Sequence, residues 1–280
     1  QAGELHRQLA ELPLAPALAP RMRLDGYTIV RELHASARSH IHLAVDEDSG
    51  AHVAIKTPAV ELQQDAVALE RFLLEEWIAR RIDCAHVLRP CPPAQRRSCL
   101  YVATEYVEGR TLRQWMIAHP RADIDAVDVC VPNNLHRQIA RGLQAFHRLE
   151  MLHRDLRPEN VMIDASGTVR IIDFGAVSVA GIAECGMAPD PAGIPGDAAY
   201  AAPEYFLGEA GSPRADLFSL AVIAYEMLTG RLPYGADVAK TRTRAAQRRL
   251  RYRSVVDDER AIPSWVDDAL CRALDPDPAQ

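Results

Sequence analysis

The stretch "MLHRDLRPENVMIDASGTVRIIDFGA", residues 151–176, constrains the fold more than any other part of the 280-residue chain. Two short apolar strands, "NVMID" and "VRIIDF", alternate in it with polar turns. Asp155 and Asn160 fall in the turn before the first strand, between it and a preceding helix. Asp173 follows Asn160 by 13 residues, at the end of the second strand. A hairpin of that length gathers two carboxylates and an amide oxygen around one site. Such hard oxygen donors suit Mg²⁺, which binds through one or two carboxylates and completes its shell with substrate phosphates. Asp and Asn also close turns for purely local reasons, and a lone Asp-x₄-Asn would be read that way. With "HRD" ahead of it and "DFG" behind it, chance is a poor explanation.

The rest of the chain sets the frame for that segment. From about Asp25 to Val107 the pattern is one of short alternating pieces, "YTIVREL", "SHIHLAVD", "HVAIKTP", "VLRPCP" and "CLYVATEYV", interrupted by one helical stretch, "DAVALERFLLEEWIARRI". After Glu108 helical patterns dominate: "TLRQWMIAHP", "NNLHRQIARGLQAFHRL", "DLFSLAVIAYEMLTG" and "WVDDALCRAL". A small sheet lobe with one helix followed by a larger helical lobe is a two-lobed α+β organisation. Residues 1–24, rich in Ala, Leu and Pro, read as a linker or flanking segment, 25–107 as the small lobe and 108–280 as the large one. The net charge of −6 argues against nucleic acid as the main partner. No run of about 18 apolar residues marks a membrane segment. The six cysteines form no C-x-x-C pair, which fits reduced thiols and a cytoplasmic setting. Only two of the 32 basic residues are lysine, Lys56 and Lys240, so a lysine that remains is a candidate for chemistry. The basic run from Lys240 to Arg253 reads as a solvated helix face.

These motifs resemble those of the eukaryotic-like protein serine/threonine kinases. "HRDLRPEN" resembles their catalytic loop, "DFG" their magnesium loop, "HVAIKTP" their lysine strand, "AAPEY" the end of their activation segment and "DLFSLAVIAYEMLTGRLPY" their buried central helix. The resemblance implies a two-lobed kinase fold, ATP and Mg²⁺ as cofactors, and protein substrates. It makes Asp155 the residue that orients the substrate hydroxyl and accepts its proton. Asn160 and Asp173 become the Mg²⁺ ligands, and Lys56 the partner of the α- and β-phosphates. Glu75 would hold Lys56, with Glu76 the choice if the helix register shifts by one. "VATEYVEG" resembles the hinge: Thr104 would guard the back pocket, the backbones of Glu105 and Val107 would bind the base, and Met162 would pack beneath it. Ile41 and Ala54 are also implied as nucleotide contacts.

Several positions depart from the family pattern. "HASARS" occupies the glycine-rich loop, with His34, Ser36 and Ser39 at the glycine positions. A non-glycine residue forced to positive φ there would cost about 1–2 kcal/mol, unless the loop takes another path, and Ser36 and Ser39 could offer hydroxyl donors. Arg157 stands where lysine is usual and Asp197 where threonine is usual, and the two are expected to form an ion pair near Asp155. The segment from Asp173 to Glu204 holds Ser178 and Tyr200 but no threonine, so the common phosphothreonine switch is not expected. Arg154 could pair with Glu184 or Asp190 instead. The arginine that pairs with Glu204 in the family would fall just beyond Gln280. A pseudokinase that binds nucleotide as a regulatory module is the alternative reading. A small-molecule kinase of the aminoglycoside-phosphotransferase type is disfavoured by "AAPEY". The stretches "LHASARSHIHLAVD", "APEYFLGEAGSPRADLFSLAVIAYEMLTGRLPYG" and "KTRTRAAQRRLRYRSV" resemble more closely those of bacterial proteins with a PP2C-type phosphatase domain ahead of the kinase, which implies such a domain in the same parent chain. Some relatives of that kind end in a membrane anchor. The start at Gln1 and the stop at "RALDPDPAQ" fit a piece of a longer protein.

Overall fold

The computed structural model describes residues 12–92, 97–119, 135–180, 196–256 and 262–278. The chain divides into two units: 1–83 with 88–107, and 84–87 with 108–280.

In the first unit, period-two alternation builds an antiparallel sheet of five strands in chain order: β1 (Arg23–Leu24), β2 (Tyr27–Ala35), β3 (Ser39–Asp46), β4 (His52–Pro58) and β5 (Val102–Glu105). Successive side chains point to opposite faces. Tyr27, Ile29, Ala44, Val53, Ile55, Tyr101 and Ala103 form one core cluster, while Ala54, Lys56, Val102 and Thr104 alternate onto the other face. Helix α1 (Ala66–Ala79) begins where the Asp65 carboxylate accepts the Ala68 N–H at 2.9 Å. Its Phe72 and Leu73 pack with Leu100 and Val102. "VLRPCP" does not form a strand. Its prolines remove ladder donors, and its two pairings are isolated bridges, Val87 to Ile171 and Pro90 to Thr104.

Part of the lead-in is not a free linker. Leu12 and Leu14 pack against the Phe72–Leu73–Leu100–Val102 cluster, and Ala15, Leu18 and Met22 join the sheet core. The Pro13 carbonyl accepts the Leu100 N–H at 2.8 Å. Apolar residues without helical or strand period thus cover the sheet as an extended strap.

In the second unit a three-stranded sheet has the order β6 (Gly109–Thr111), β8 (Val161–Asp164), β9 (Val169–Ile171). A two-stranded pair joins β7 (Met151–Leu152) to β10 (Ser178–Val179). Helix α2 (Leu112–Ala118) opens with a capping box between Thr111 and Gln114. Helix α3 (Leu135–His147) buries Leu135, Ile139, Gly142, Leu143 and Phe146, one apolar stripe. Helix α4 (Pro213–Thr229) is apolar around most of its circumference and accordingly buried. It starts at a Ser212 cap with Pro213 in its first turn and stops at Gly230, whose φ of 67° terminates a helix cheaply. Helices α5 (Arg244–Gln247) and α6 (Ser264–Ala273) complete the unit. The basic run around α5 is not uniformly solvated: Arg244 pairs with Glu209 at 2.7 Å, Arg242 lies over the Phe206 ring, and Gln247 is buried.

Candidate active site

Sheet register in the first unit assembles one group of candidate residues. Ile41 pairs with Lys56 and Lys56 with Val102, while Leu43 pairs with Ala54 and Ala54 with Thr104. Ile41, Ala54, Lys56 and Thr104 therefore share one face, and His34, paired with Ile41, continues the first row. Lys56 Nζ lies 2.6 Å from Glu75 Oε2, and the two side chains are only 20% and 13% exposed. This pair is sheltered enough to fix a geometry, which an open surface pair is not. Glu76, the other choice for that role, faces away from Lys56. Its carboxylate is clamped by Arg97 at 2.5 Å and Arg80 at 2.5 Å. Burial opposes its ionisation, yet these guanidiniums hold its carboxyl below the usual range.

The glycine-free turn avoids the expected strain. No residue from His34 to Ser39 has positive φ. Ser36 closes the turn instead: its Oγ accepts the N–H groups of Arg38 (3.2 Å) and Ser39 (3.1 Å) and donates to the Ser39 carbonyl at 3.1 Å. The single Ser36 hydroxyl proton is thereby committed, and Ser39 is buried. Neither stands as an open hydroxyl donor. At Glu105 the N–H donates to the Arg89 carbonyl at 2.9 Å, so the backbone group of Glu105 that could meet a base is its carbonyl. Val107 is buried at the end of the unit.

The second unit holds the other group. The turn carrying Asp155 is anchored on α4 by Asp216, which is 1% exposed. Its two carboxylate oxygens accept the N–H groups of His153 and Arg154, each at 2.9 Å, and it meets His147 Nε2 at 2.8 Å. Asp155 is held in turn: Asn160 Nδ2 donates to its carbonyl at 2.9 Å and to Oδ2 at 3.1 Å, and the Asp197 N–H donates to Oδ1 at 3.0 Å. Gly196 makes that last bond possible, because a Cβ there would come within 2.3 Å of Asp155 Oδ1. Burial pushes the Asp155 carboxyl above the ordinary aspartate value, partly offset by the Asp197 N–H. Burial pushes His153, fully enclosed beside it, in the other direction, towards the neutral ring.

Arg154 and Asp173 both adopt left-handed backbone, with φ of 66° and 67°. Non-glycine residues rarely do so, and such strain clusters at functional sites. The Ile172 N–H donates to the Asn160 carbonyl at 2.9 Å, which brings Asp173 next to Asn160. With its Nδ2 spent on Asp155, Asn160 keeps its side-chain oxygen as the acceptor. Among the described residues no three acidic, His or Cys side chains converge on one metal point. An Asn oxygen and the Asp173 carboxylate nevertheless suit a Mg²⁺ that takes its other ligands from phosphates and water.

The Arg157–Asp197 ion pair is present, Nη1 to Oδ2 at 3.1 Å, and Arg157 Nε also reaches Glu159 Oε2 at 2.8 Å. Arg154 lies over the Tyr205 ring at 5.6 Å. Glu184 and Asp190, suggested as its partners, lie outside the described residues. Glu204 is buried, and burial raises its carboxyl above the ordinary glutamate value. Met162 lies half-buried on β8 in this second unit. Sequence reasoning missed Asp216, although an acidic residue in the first turn of an otherwise apolar helix was a usable signal, since a buried charge needs partners. It also missed Gly196, Arg113, Glu159 and Glu226, whose contacts are with residues far along the chain.

Comparison with known proteins places this geometry. A family model described as "Protein kinase domain" matches residues 27–280. The probable serine/threonine-protein kinase pknA2 of Bifidobacterium longum is 31% identical over 264 residues, 92% of this chain and 32% of that protein. The serine/threonine-protein kinase PknL of Mycobacterium bovis is 30% identical over 276 residues, 95% of this chain and 64% of that protein. The crystal structure of the Mycobacterium tuberculosis PknI kinase domain superposes with a TM-score of 0.65 at 26% identity, covering 94% of this chain and 93% of that one. The chain spans between 32% and 42% of the length of the first curated relatives it matches.

Proposed function

Because the chain belongs to the protein kinase domain family, we propose that it is a protein serine/threonine kinase, transferring the γ-phosphoryl group of ATP to Ser or Thr of protein substrates. The observation that carries this reading is Asp155. It is half-buried, its carboxylate is aimed by Asn160 and the Asp197 N–H, and partial enclosure raises its proton affinity. Asp155 orients the substrate hydroxyl and takes its proton as that oxygen bonds to the γ-phosphorus. The bond from phosphorus to the β–γ bridging oxygen breaks, and ADP leaves. Lys56, held by Glu75, offsets α- and β-phosphate charge. Arg157 balances the charge of Asp197 beside the base. Asn160 and Asp173 would hold Mg²⁺, which when bound neutralises charge on the β- and γ-oxygens. Ile41, Ala54 and Thr104, the Glu105 carbonyl, Val107 and Met162 would contact the nucleoside, with His34, Ser36 and Ser39 forming the turn over the phosphates.

Incubating the chain with Mg²⁺ and γ-labelled ATP, alone and with a generic basic protein, tests this. Label located on Ser or Thr by mass spectrometry supports it. One observation favours a second reading, a nucleotide-binding pseudokinase: the turn at Ser36 closes on itself and offers no hydroxyl proton to phosphate. That reading predicts an ATP-dependent rise in melting temperature with no label transferred.

The resemblance of the "APEYFLGEAGSPRADLF" and "KTRTRAAQRRLRYRSV" stretches to phosphatase–kinase proteins supports a PP2C-type domain ahead of the kinase in the parent chain, and we place the kinase domain in the cytoplasm. Phosphatase activity of the full-length parent on a phosphorylated peptide tests the first point. Among the described residues no helix is long and apolar enough to cross a membrane.

A further inference from the structure

Arg113, on α2, is the centre of a chain of charges in the second unit. Its Nε donates to Glu159 Oε1 at 2.8 Å and its Nη1 to Glu226 Oε1 at 2.8 Å. Its Nη2 reaches the Tyr200 hydroxyl, which itself donates to Glu226 Oε2 at 2.6 Å. From Glu159 the chain runs to Arg157 at 2.8 Å, then to Asp197 at 3.1 Å, and the Asp197 N–H ends it on Asp155. Five side chains thus alternate in sign: Asp197, Arg157, Glu159, Arg113, Glu226.

The elements joined are the ones whose relative placement matters. Glu226 stands on the buried helix α4, the rigid member. Glu159 lies in the turn Pro158–Asn160, which also carries Asn160. Asp197 and Tyr200 belong to the segment leading into "APE". Tyr200 is buried, its carbonyl accepts the Ser219 hydroxyl at 2.8 Å, and its N–H donates to the Asp197 carbonyl at 3.0 Å. A planar guanidinium with five donors is the side chain that can serve three such acceptors at once; a lysine cannot hold the same geometry. The charged members are between 16% and 36% exposed, so solvent screens them less than an open surface pair.

We propose that Arg113 is a positioning residue: through Glu159, Arg157 and Asp197 it fixes the end of the activation segment, residues 196–204, against the Asp155 turn and aims the Asp155 carboxylate, so that this end needs no added phosphate to be held in place. The segment's lack of threonine agrees with this. Glu159 accepts from both arginines, Arg113 Nε and Arg157 Nε, each at 2.8 Å, so it is the joint of the chain. The kinetic part of the proposal rests on the kinase reading; the structural part does not.

The test compares phosphatase-treated wild type, verified phosphate-free by mass, with Arg113→Met and Arg113→Lys. The proposal expects kcat of Arg113→Met to fall about 10- to 100-fold, the scale of a small misplacement at a reacting centre. KM for ATP should change less than kcat, because Lys56 and Glu75 are no part of the chain of charges. Arg113→Lys should recover part of kcat. Amide hydrogen exchange should quicken in Arg113→Met over residues 153–160 and 196–207 and stay unchanged in α4. A merely structural role would instead lower kcat in step with the folded fraction, with no local change in exchange. Unchanged kcat, unchanged exchange, or a wild type that is active only when its segment is phosphorylated would overturn the proposal. If even the phosphorylated wild type transfers no label, the kinase reading fails and the exchange comparison alone decides the structural claim. If Arg113→Met does not fold, Arg113→Lys serves the same comparison, with a smaller loss expected.

Discussion

Asp155 combines two demands that oppose each other. Enclosure raises its proton affinity, and donors from Asn160 and Asp197 keep its carboxylate aimed. A base must be unprotonated to act, so the acid limb of kcat/KM against pH should lie above the ordinary aspartate value of about 3.9. A pH–rate profile whose acid limb sits at or below that value would contradict the burial argument. Lys56 presents the complementary case, a sheltered ammonium held by the Glu75 carboxylate. Lys56→Met should cut transfer by at least about 100-fold, the usual cost of losing a preorganised charge partner, while leaving the unit folded. Asp216 is the residue on which stability turns. Replacing it by Ala leaves the His153 and Arg154 N–H groups unpaired in the interior. A loss of about 3 kcal/mol is expected, which corresponds to a fall in Tm of roughly 6–12 °C at this chain size; a calorimetric scan checks it.

Among the elements, helix α1 and the Pro158–Asn160 turn show how neighbouring residues divide labour. On α1, Glu75 turns to Lys56 and Glu76 turns to Arg80 and Arg97. Glu76→Ala would strand Arg97, whose side chain is only 9% exposed, and should destabilise the unit by about 3–5 kcal/mol, measurable by denaturant unfolding. Periodicity in the sequence placed α1 well, but which of two adjacent glutamates meets the lysine depends on the helix's rotation about its axis. That rotation is set by packing and by an arginine far along the chain. The strap of residues 12–24 was equally hard to read, because extended apolar segments that cover a sheet carry no period. In the turn, Glu159 is held near 2 against a usual 4.5. A depressed carboxyl gives stability that is complete above the unfolded value and is lost as pH falls from about 4.5 towards 2. Glu159→Gln should therefore flatten the loss of stability across that window; an unchanged acid titration of stability would show that the pairing is screened away.

For the molecule as a whole, the grouping of Asp155, Asn160 and Asp173 was legible because their spacing is local: they lie on one turn and one hairpin. The face shared by Ile41, Ala54, Lys56 and Thr104 was legible through alternation once the strands were recognised. Long-range partners were not. Arg113 and Glu226 are separated by most of the second unit's sequence, and no local pattern links them. Nor does sequence alone show that a glycine-free turn can close through the hydroxyl of Ser36 with no positive φ. Asp155 is the proposed base on which phosphoryl transfer by this domain depends. The most direct measurement sets label transfer from γ-labelled ATP beside ATP affinity by calorimetry, in wild type and Asp155→Asn. The account predicts transfer by the wild type, a loss of about 100- to 10,000-fold in the variant, the range of a positioned base, and ATP affinity unchanged within about twofold. Transfer that survives Asp155→Asn, or a wild type that binds ATP and transfers nothing, would contradict it.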